Sequence, residues 1–183
     1  MIEFLYSAIL LLVFSFIVFR VIVRRDYLKR QKLTPISYIL ENIVFVVHII
    51  LWYLPMKWPN LPSLSQNYFV IALSIILFCM GLIILLIAWF GLGTCNSLGQ
   101  NKDTLRTTGI YGYTRNPQLV GYGIMILSIV ILYLSWYSIG WFALYLIIAY
   151  FMIKSEEEFL QKVYRDEYVE YCKKVPRILK PSC

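Results

Sequence analysis

Apolar residues gather in long runs at 2–23, 36–54, 68–90 and 118–153, and the stretches between them hold most of the charges, prolines and glycines. A helix rises 1.5 Å per residue, so about 20 apolar residues cross the roughly 30 Å of bilayer hydrocarbon. Each of the first three runs predicts one spanning helix, the second starting at Pro35, which suits a first helical turn. The fourth run is too long for one straight crossing. Within it, Ser135 to Gly140 with Trp136, Tyr137 and Trp141 makes the kind of aromatic turn that settles at a membrane interface. A hairpin of two helices over 118–134 and 138–154 follows. Beyond it Phe159, Leu160, Val163, Tyr164, Tyr168, Tyr171, Cys172 and Val175 recur at helical spacing between charges. They predict an amphipathic helix over 155–175, capped by Ser155, with the glutamates in its first turn and Pro176 ending it. The pattern is that of an all-α membrane protein, with about five transmembrane helices and a cytoplasmic C-terminal amphipathic helix. Residues 1–183 form a single integral-membrane domain, its three spanning helices in 1–90 and the loop, hairpin and last helix in 91–183.

Composition agrees. Apolar residues make up 60%, charged residues 15%, and the mean hydropathy is +0.70, which excludes an ordinary soluble domain. A net charge of +7 would point to nucleic acid in a soluble protein. Here the basic residues flank apolar runs, where they hold cytoplasmic loops and meet anionic membrane lipids, so no nucleic-acid partner is expected. Arg24 to Lys32 reads as a basic cytoplasmic loop, with Arg20 snorkelling to the interface, so the amino terminus lies outside. Five crossings then bring the carboxyl terminus to the cytoplasm, consistent with Lys154, Lys162, Arg165, Lys173, Lys174, Arg177 and Lys180. The first run has Glu3 before it and Arg24-Arg25 behind it, the reverse of a signal peptide, and reads as a retained span. Pro55, Pro59 and Pro62 mark an outer loop.

Several motifs are excluded by spacing. Cys79, Cys95, Cys172 and Cys183 show no C-x-x-C pair and no histidine cluster, so they read as buried thiols and no metal is expected. Gly91, Gly93 and Gly99 open a long loop to Pro117, but their spacing and the lack of a preceding strand exclude a dinucleotide fold.

Three features remain for chemistry. Glu41 and His48 sit seven apart on one face of the second span, where polar groups are costly unless they face the bundle. They read either as a polar wall for a substrate or proton path or as interhelical hydrogen bonding. The second feature is the segment Gly109 to Pro117, and the third the acidic triplet Glu156-Glu157-Glu158. The last two flank the hairpin on one membrane face, which brings Arg115 and Asn116 near Glu156 and Glu157. Arg115 can hold a carboxylate bidentately, Asn116 can donate and accept, and a carboxylate can hold a cationic amino group. Gly121 and Gly123 let a ligand or a neighbouring helix approach. Taken singly, each element also reads as a helix cap or an ordinary helix start.

The pattern Leu105-x3-Gly109-x-Tyr111-x3-Arg115-Asn116-Pro117, then Glu156-Glu157-x2-Leu160 and Tyr164-x3-Tyr168-x2-Tyr171, resembles the integral-membrane methyltransferases. This group includes isoprenylcysteine carboxyl methyltransferases and phospholipid N-methyltransferases, and the resemblance covers about residues 91–181. It implies S-adenosylmethionine as cofactor, enclosed between the arginine-proline segment and the glutamate pair, and a lipophilic or lipid acceptor, carboxylate or amine, entering from the bilayer. Carried onto this chain, it implies Arg115 and Glu157 as catalytic residues orienting the acceptor. Leu105, Gly109, Tyr111, Tyr113, Asn116, Pro117, Gly121 and Glu156 then bind the cofactor. The chain departs from the family pattern at Asn116, where histidine is usual, at Leu119, where an aromatic is frequent, and at Arg165, where glycine is common. Two other classes stand beside this one: an inactive membrane scaffold of the same fold, and a small transporter-like bundle using Glu41 and His48.

Overall fold

The computed structural model describes residues 2–53, 64–92 and 105–178. Among them every regular element is helical, as the apolar runs require in a medium where only a helix satisfies its own backbone. Helix α1 (Ile2–Phe16) continues through a π-helical segment (Ile17–Val23) directly into α2 (Arg24–Arg30). Then come α3 (Pro35–Tyr53), α4 (Tyr68–Leu92), a short 3-10 turn (Gly109–Gly112), α5 (Pro117–Leu132) and α6 (Trp136–Lys174). Four helices are long and apolar enough to cross a membrane: Glu3–Arg30, Pro35–Trp52, Tyr68–Gly91 and Trp136–Lys174. The fifth apolar helix, α5, is shorter at 16 residues. The chain is an integral membrane protein, and the sequence reading of about five spans holds.

Several boundaries differ from expectation, each for a local reason. The basic stretch after the first span is helix rather than loop as far as Arg30, because Arg and Lys are good helix formers and carry no backbone signal to stop. Gln31, in the left-handed conformation at φ 55°, ends it. Thr34 and Ser37 both donate to Asp26 at 2.6 Å, which ties that end to the start of α3. The last span and the amphipathic helix are one element. No Gly or Pro falls between Trp141 and Val175, and leaving the bilayer breaks no backbone hydrogen bond. Ser155 is therefore not a cap: inside α6, it donates to the Phe19 carbonyl at 2.7 Å. The cap is Ser135, which exchanges hydrogen bonds with Ser138. Gly91 belongs to α4, while Gly93, Gly99, Pro55, Pro59, Pro62, Lys180, Cys95 and Cys183 lie outside the described residues. The reading of buried thiols fails twice: Cys79 is free and exposed, and Cys172 is disulfide-bonded.

Two apolar cores hold the bundle. One joins α1, α2, α3 and α6 through Val18, Phe19, Tyr27, Val44, Ile148 and Phe159, with Tyr27 stacked on Phe159 at 4.4 Å. The other joins α5 and α6 to Trp52 through Ile126, Trp141, Tyr145 and Ala149. Helix α4 packs along α5, and its other faces are apolar and exposed, as lipid contact demands. The α4–α5 crossing is backbone to backbone: a Cβ on Gly81 would sit 2.6 Å from the Gly121 carbonyl oxygen, and one on Gly121 would sit 2.7 Å from that of Gly81.

His48 is fully buried and bonded on both sides. Its Nε2 lies 3.2 Å from the Trp141 carbonyl, its Nδ1 lies 3.0 Å from the Tyr122 hydroxyl, and its ring stacks on Trp141. A carbonyl only accepts, so Nε2 carries the proton and Tyr122 donates to Nδ1. This is interhelical hydrogen bonding, one of the two readings open for His48.

Candidate functional site

The apolar part of α6 ends at Ile153, and Lys154, Glu156, Glu157 and Glu158 follow within five residues, so the helix leaves the hydrocarbon there. Successive residues on a helix point about 100° apart, and the three glutamates accordingly face three different partners. Glu158 turns to the first helix, accepting from Arg20 at 2.9 Å and from Arg24 at 2.5 Å. Arg20 is thus clasped between helices, donating also to Ser155, rather than snorkelling to the interface. Glu157 turns to the loop before α5. Its carboxylate accepts two hydrogen bonds from Arg177, at 2.8 and 2.5 Å, and lies 3.5 Å from Nη1 of Arg115. Glu156, half-buried, has no hydrogen-bond or ion-pair partner among the described residues. Burial, with the neighbouring charge of Glu157, pushes its carboxyl up to about 7.

The loop facing these carboxylates is built from the Gly109 to Pro117 segment. Gly109 takes φ 66°, a conformation that glycine adopts without strain, and starts the 3-10 turn. The turn buries Tyr111, whose hydroxyl donates to the Ala88 carbonyl of α4 at 3.3 Å, while its own carbonyl accepts from Tyr171 at 2.6 Å. Burial raises the Tyr111 hydroxyl well above its usual range, so it stays protonated and a donor. The Arg115 side chain is only 3% exposed, donates to the Tyr168 hydroxyl at 3.3 Å, contacts the Cys172 sulfur and sits 5.8 Å from the centre of the Tyr168 ring. Pro117 then opens α5.

After α6 the chain doubles back over this loop. The Pro176 carbonyl accepts from the Arg115 backbone at 3.0 Å. The Arg177 carbonyl accepts from the Thr114 hydroxyl at 3.0 Å and from the Asn116 amide at 3.1 Å. This return is prepared by a kink at Arg165, whose φ of 44° and ψ of −116° interrupt the helix. The last turns then pack Tyr168, Tyr171, Cys172 and Val175 against Leu105, Leu160 and Tyr164.

Most of the residues singled out in the sequence therefore meet. Leu105, Tyr111, Arg115, Asn116 and Pro117 stand on one side, and Glu156 and Glu157 on the other. Two stand apart: Tyr113 is 81% exposed, and Gly121 faces Gly81 of the neighbouring helix. Arg177 was not anticipated as a partner of Glu157, since nothing in the residues after Pro176 marks a return to the loop. Glu41 stands close enough for its charge, like that of Glu156, to act on the Tyr27 hydroxyl. The sequence offered it only as a partner of His48.

Residues 69–167 match the family of phospholipid methyltransferases. The chain belongs to this family. The match runs from α4 to just past the kink in α6, so it contains Arg115, Asn116 and all three glutamates and leaves out Glu41, Tyr168 and Arg177. It bears out the resemblance drawn from the Arg115-Asn116-Pro117 and Glu156-Glu157 motifs, and makes the protein a membrane methyltransferase of a lipid-acting family. No curated protein and no solved structure matches the chain.

Proposed function

We propose that this phospholipid methyltransferase family member uses S-adenosylmethionine to methylate a lipid or lipophilic small molecule at the cytoplasmic face of its membrane. One observation carries the reading. Glu156 is a half-buried carboxylate with no hydrogen-bond or ion-pair partner among the described residues, while the two carboxylates that follow it, Glu157 and Glu158, are both engaged by arginines. The donor set fits a cationic cofactor: an acceptor-only group at Glu156, aromatic walls at Tyr111 and Tyr168, and the polar loop of Gly109 and Asn116. Arg24, Arg25, Lys29, Arg30 and Lys154 cluster at the same end of the bundle as the glutamates, which supports a cytoplasmic location. Residues 1–183 act in this reading as a single integral-membrane domain.

When bound, S-adenosylmethionine would supply an electrophilic methyl group carried on a positively charged sulfur. The protein's part is alignment, exclusion of water and handling of a proton. Glu156 helps hold the cofactor's positive charge. Arg115 and Glu157, locked together and braced by Arg177, orient the acceptor. A carboxylate acceptor needs no base. A protonated amine must first lose a proton, and Glu156, with a carboxyl group near 7, is matched to take it. Leu105, Gly109, Tyr111, Asn116 and Pro117 line the cofactor's side of the site.

The test is a calorimetric titration of S-adenosylhomocysteine into the purified protein and its Glu156→Gln and Arg115→Ala variants in detergent. The parent should bind, and Glu156→Gln should bind at least tenfold more weakly. Absence of binding to the parent would sink the reading, and binding without transfer to any lipid would leave a scaffold.

A further inference from the structure

Helix α1, its π-helical continuation and α2 make one span from Glu3 to Arg30, 28 residues long. At about 1.5 Å per residue this is about 40 Å, against about 30 Å of hydrocarbon, so its basic end stands in the headgroup layer. The residues of α2 divide by face. Tyr27 stacks on Phe159 of α6, Arg24 donates to Glu158, and the Leu28 carbonyl accepts from Lys162 at 2.7 Å. Asp26 accepts from Thr34 and Ser37 at the start of α3, and Arg30 lies 3.8 Å from Asp26. That leaves Arg25 and Lys29. Each is two residues from Tyr27, about 200° around the helix, and so on the face opposite α6. They are exposed, four apart and one turn from each other, and their side chains have no hydrogen-bond or ion-pair partner among the described residues. Lys32, exposed just past the turn at Gln31, is a third cation in the same condition. On the hydrocarbon side the same span exposes Ile17 and Val21, at 44% and 52%.

We propose that Arg25 and Lys29 form a docking surface for an anionic phospholipid, one that the protein holds rather than methylates. Depth and charge select this partner. The two cations stand at the level of the headgroups, and the exposed Ile17 and Val21 lie toward the hydrocarbon, where acyl chains run. A headgroup of net negative charge is matched by both cations, whereas a zwitterionic headgroup brings an ammonium that repels them. Each lysine or arginine beside an anionic surface favours it by about fivefold, so the pair supplies a preference of at least about tenfold. The other faces of α2 bear on α6 beside Glu158 and on the start of α3. A lipid on the third face therefore grips the helix that braces the glutamate end of the bundle. The inference needs neither cofactor nor acceptor and stands apart from the methyltransferase reading.

The experiment offers the full-length protein, in neutral detergent, equimolar phosphatidylglycerol and phosphatidylcholine with the same acyl chains, and counts the retained lipid by native mass spectrometry. The parent should retain the glycerol form at least about tenfold over the choline form, and the preference should shrink as salt rises, as exposed charges require. Arg25→Gln with Lys29→Gln should reduce the preference to about twofold or less, with the lipid-free unfolding midpoint unchanged. Lys173→Gln with Lys174→Gln removes the same formal charge from the last turn of α6 and should keep the parent's preference. Equal retention of both lipids by the parent overturns the proposal, as does a preference that survives in the Arg25 and Lys29 variant. Equal loss in both double variants overturns it as well, because net charge rather than a site would then account for the binding. Inorganic phosphate, compared with chloride at equal ionic strength, should not displace the lipid. Displacement would assign the two cations to a free anion and overturn the lipid assignment.

Discussion

Arg177 and Glu157 stand 20 residues apart in sequence and are joined by two hydrogen bonds, at 2.8 and 2.5 Å, that fasten the chain's return segment to the last long helix. Paired geometry of this kind fixes both planes, so Oε1 of Glu157, which accepts from Arg177, is also held 3.5 Å from Nη1 of Arg115. Arg177→Ala should free Glu157 and, with it, Arg115. Hydrogen bonds to charged groups contribute about 1.5–3 kcal/mol, and the partial exposure of this pair lowers that to about 1 kcal/mol. Turnover should fall about fivefold to tenfold, with a smaller effect in a Glu157→Gln background. Equal losses in both backgrounds would show that the pair does not act through Glu157.

Asn116 stands where the family usually has histidine. Its amide donates to the Arg177 carbonyl at 3.1 Å, a role that needs an N–H and no titration. Asn116→His retains a donor and should keep the parent's thermal midpoint and cofactor affinity. Asn116→Asp offers only acceptors to a carbonyl and should cost about 1–3 kcal/mol. If aspartate is tolerated as well as histidine, the hydrogen bond to Arg177 has no energetic role.

Arg165 adopts φ 44° and ψ −116°, a region in which a side chain costs on the order of 1–3 kcal/mol and glycine very little. Glycine is common here in the resembling family, and the kink is what lets the helix end return over the loop. Arg165→Gly should therefore raise stability by about 1 kcal/mol, read as a higher detergent-unfolding midpoint. Arg165→Ala, which keeps a Cβ, should not.

The spans were legible because each is a long, mainly apolar run, and the pairing of loop and glutamates because they flank one hairpin. What stayed hidden depends on long-range geometry. Nothing local says that the backbone continues helical from Ile153 through Glu158, or that Glu157 and Glu158 diverge to Arg177 and to Arg20. Glu41 was visible as a costly residue, yet its neighbour on the helix, His48, drew attention toward a shared role. His48 instead bonds Trp141 and Tyr122, and Glu41 stands within reach of the charge of Glu156, from the far end of the chain. The loop before Leu105 falls outside the described residues, so the glycine spacing there remains a sequence expectation.

Gly81 and Gly121 let α4 and α5 touch backbone to backbone, and a methyl on either would meet a carbonyl oxygen closer than any ordinary contact. Gly121→Ala should force the helices apart and cost about 1–3 kcal/mol. Gly140→Ala is the control: its nearest neighbour would be the Phe4 ring at 3.8 Å, and helix propensity favours the change by up to about 1 kcal/mol. If Gly121→Ala weakens S-adenosylhomocysteine binding without lowering stability, the glycine serves the cofactor rather than the crossing.

The carboxyl of Glu156 sits near 7, above its ordinary 4.5, because burial and then the charge of Glu157 disfavour ionisation. The folded protein therefore holds this proton where an unfolded chain would release it. Stability from this group is complete below about 4.5 and declines as pH rises to about 7. Activity should move the other way, because only the ionised form takes a proton or holds a cation. A plot of kcat/KM against pH should rise through about 7, that parameter reporting groups of the free enzyme. The charge of this carboxylate reaches Tyr27, Glu41 and Tyr111, and Glu157 stands next to it on the helix. In Glu156→Gln the rise should disappear, with turnover on an amine lipid down by about a hundredfold or more, the usual scale of a lost general base. A rise through 7 that persists in Glu156→Gln would move the titration to another group and remove Glu156 from the proton's path.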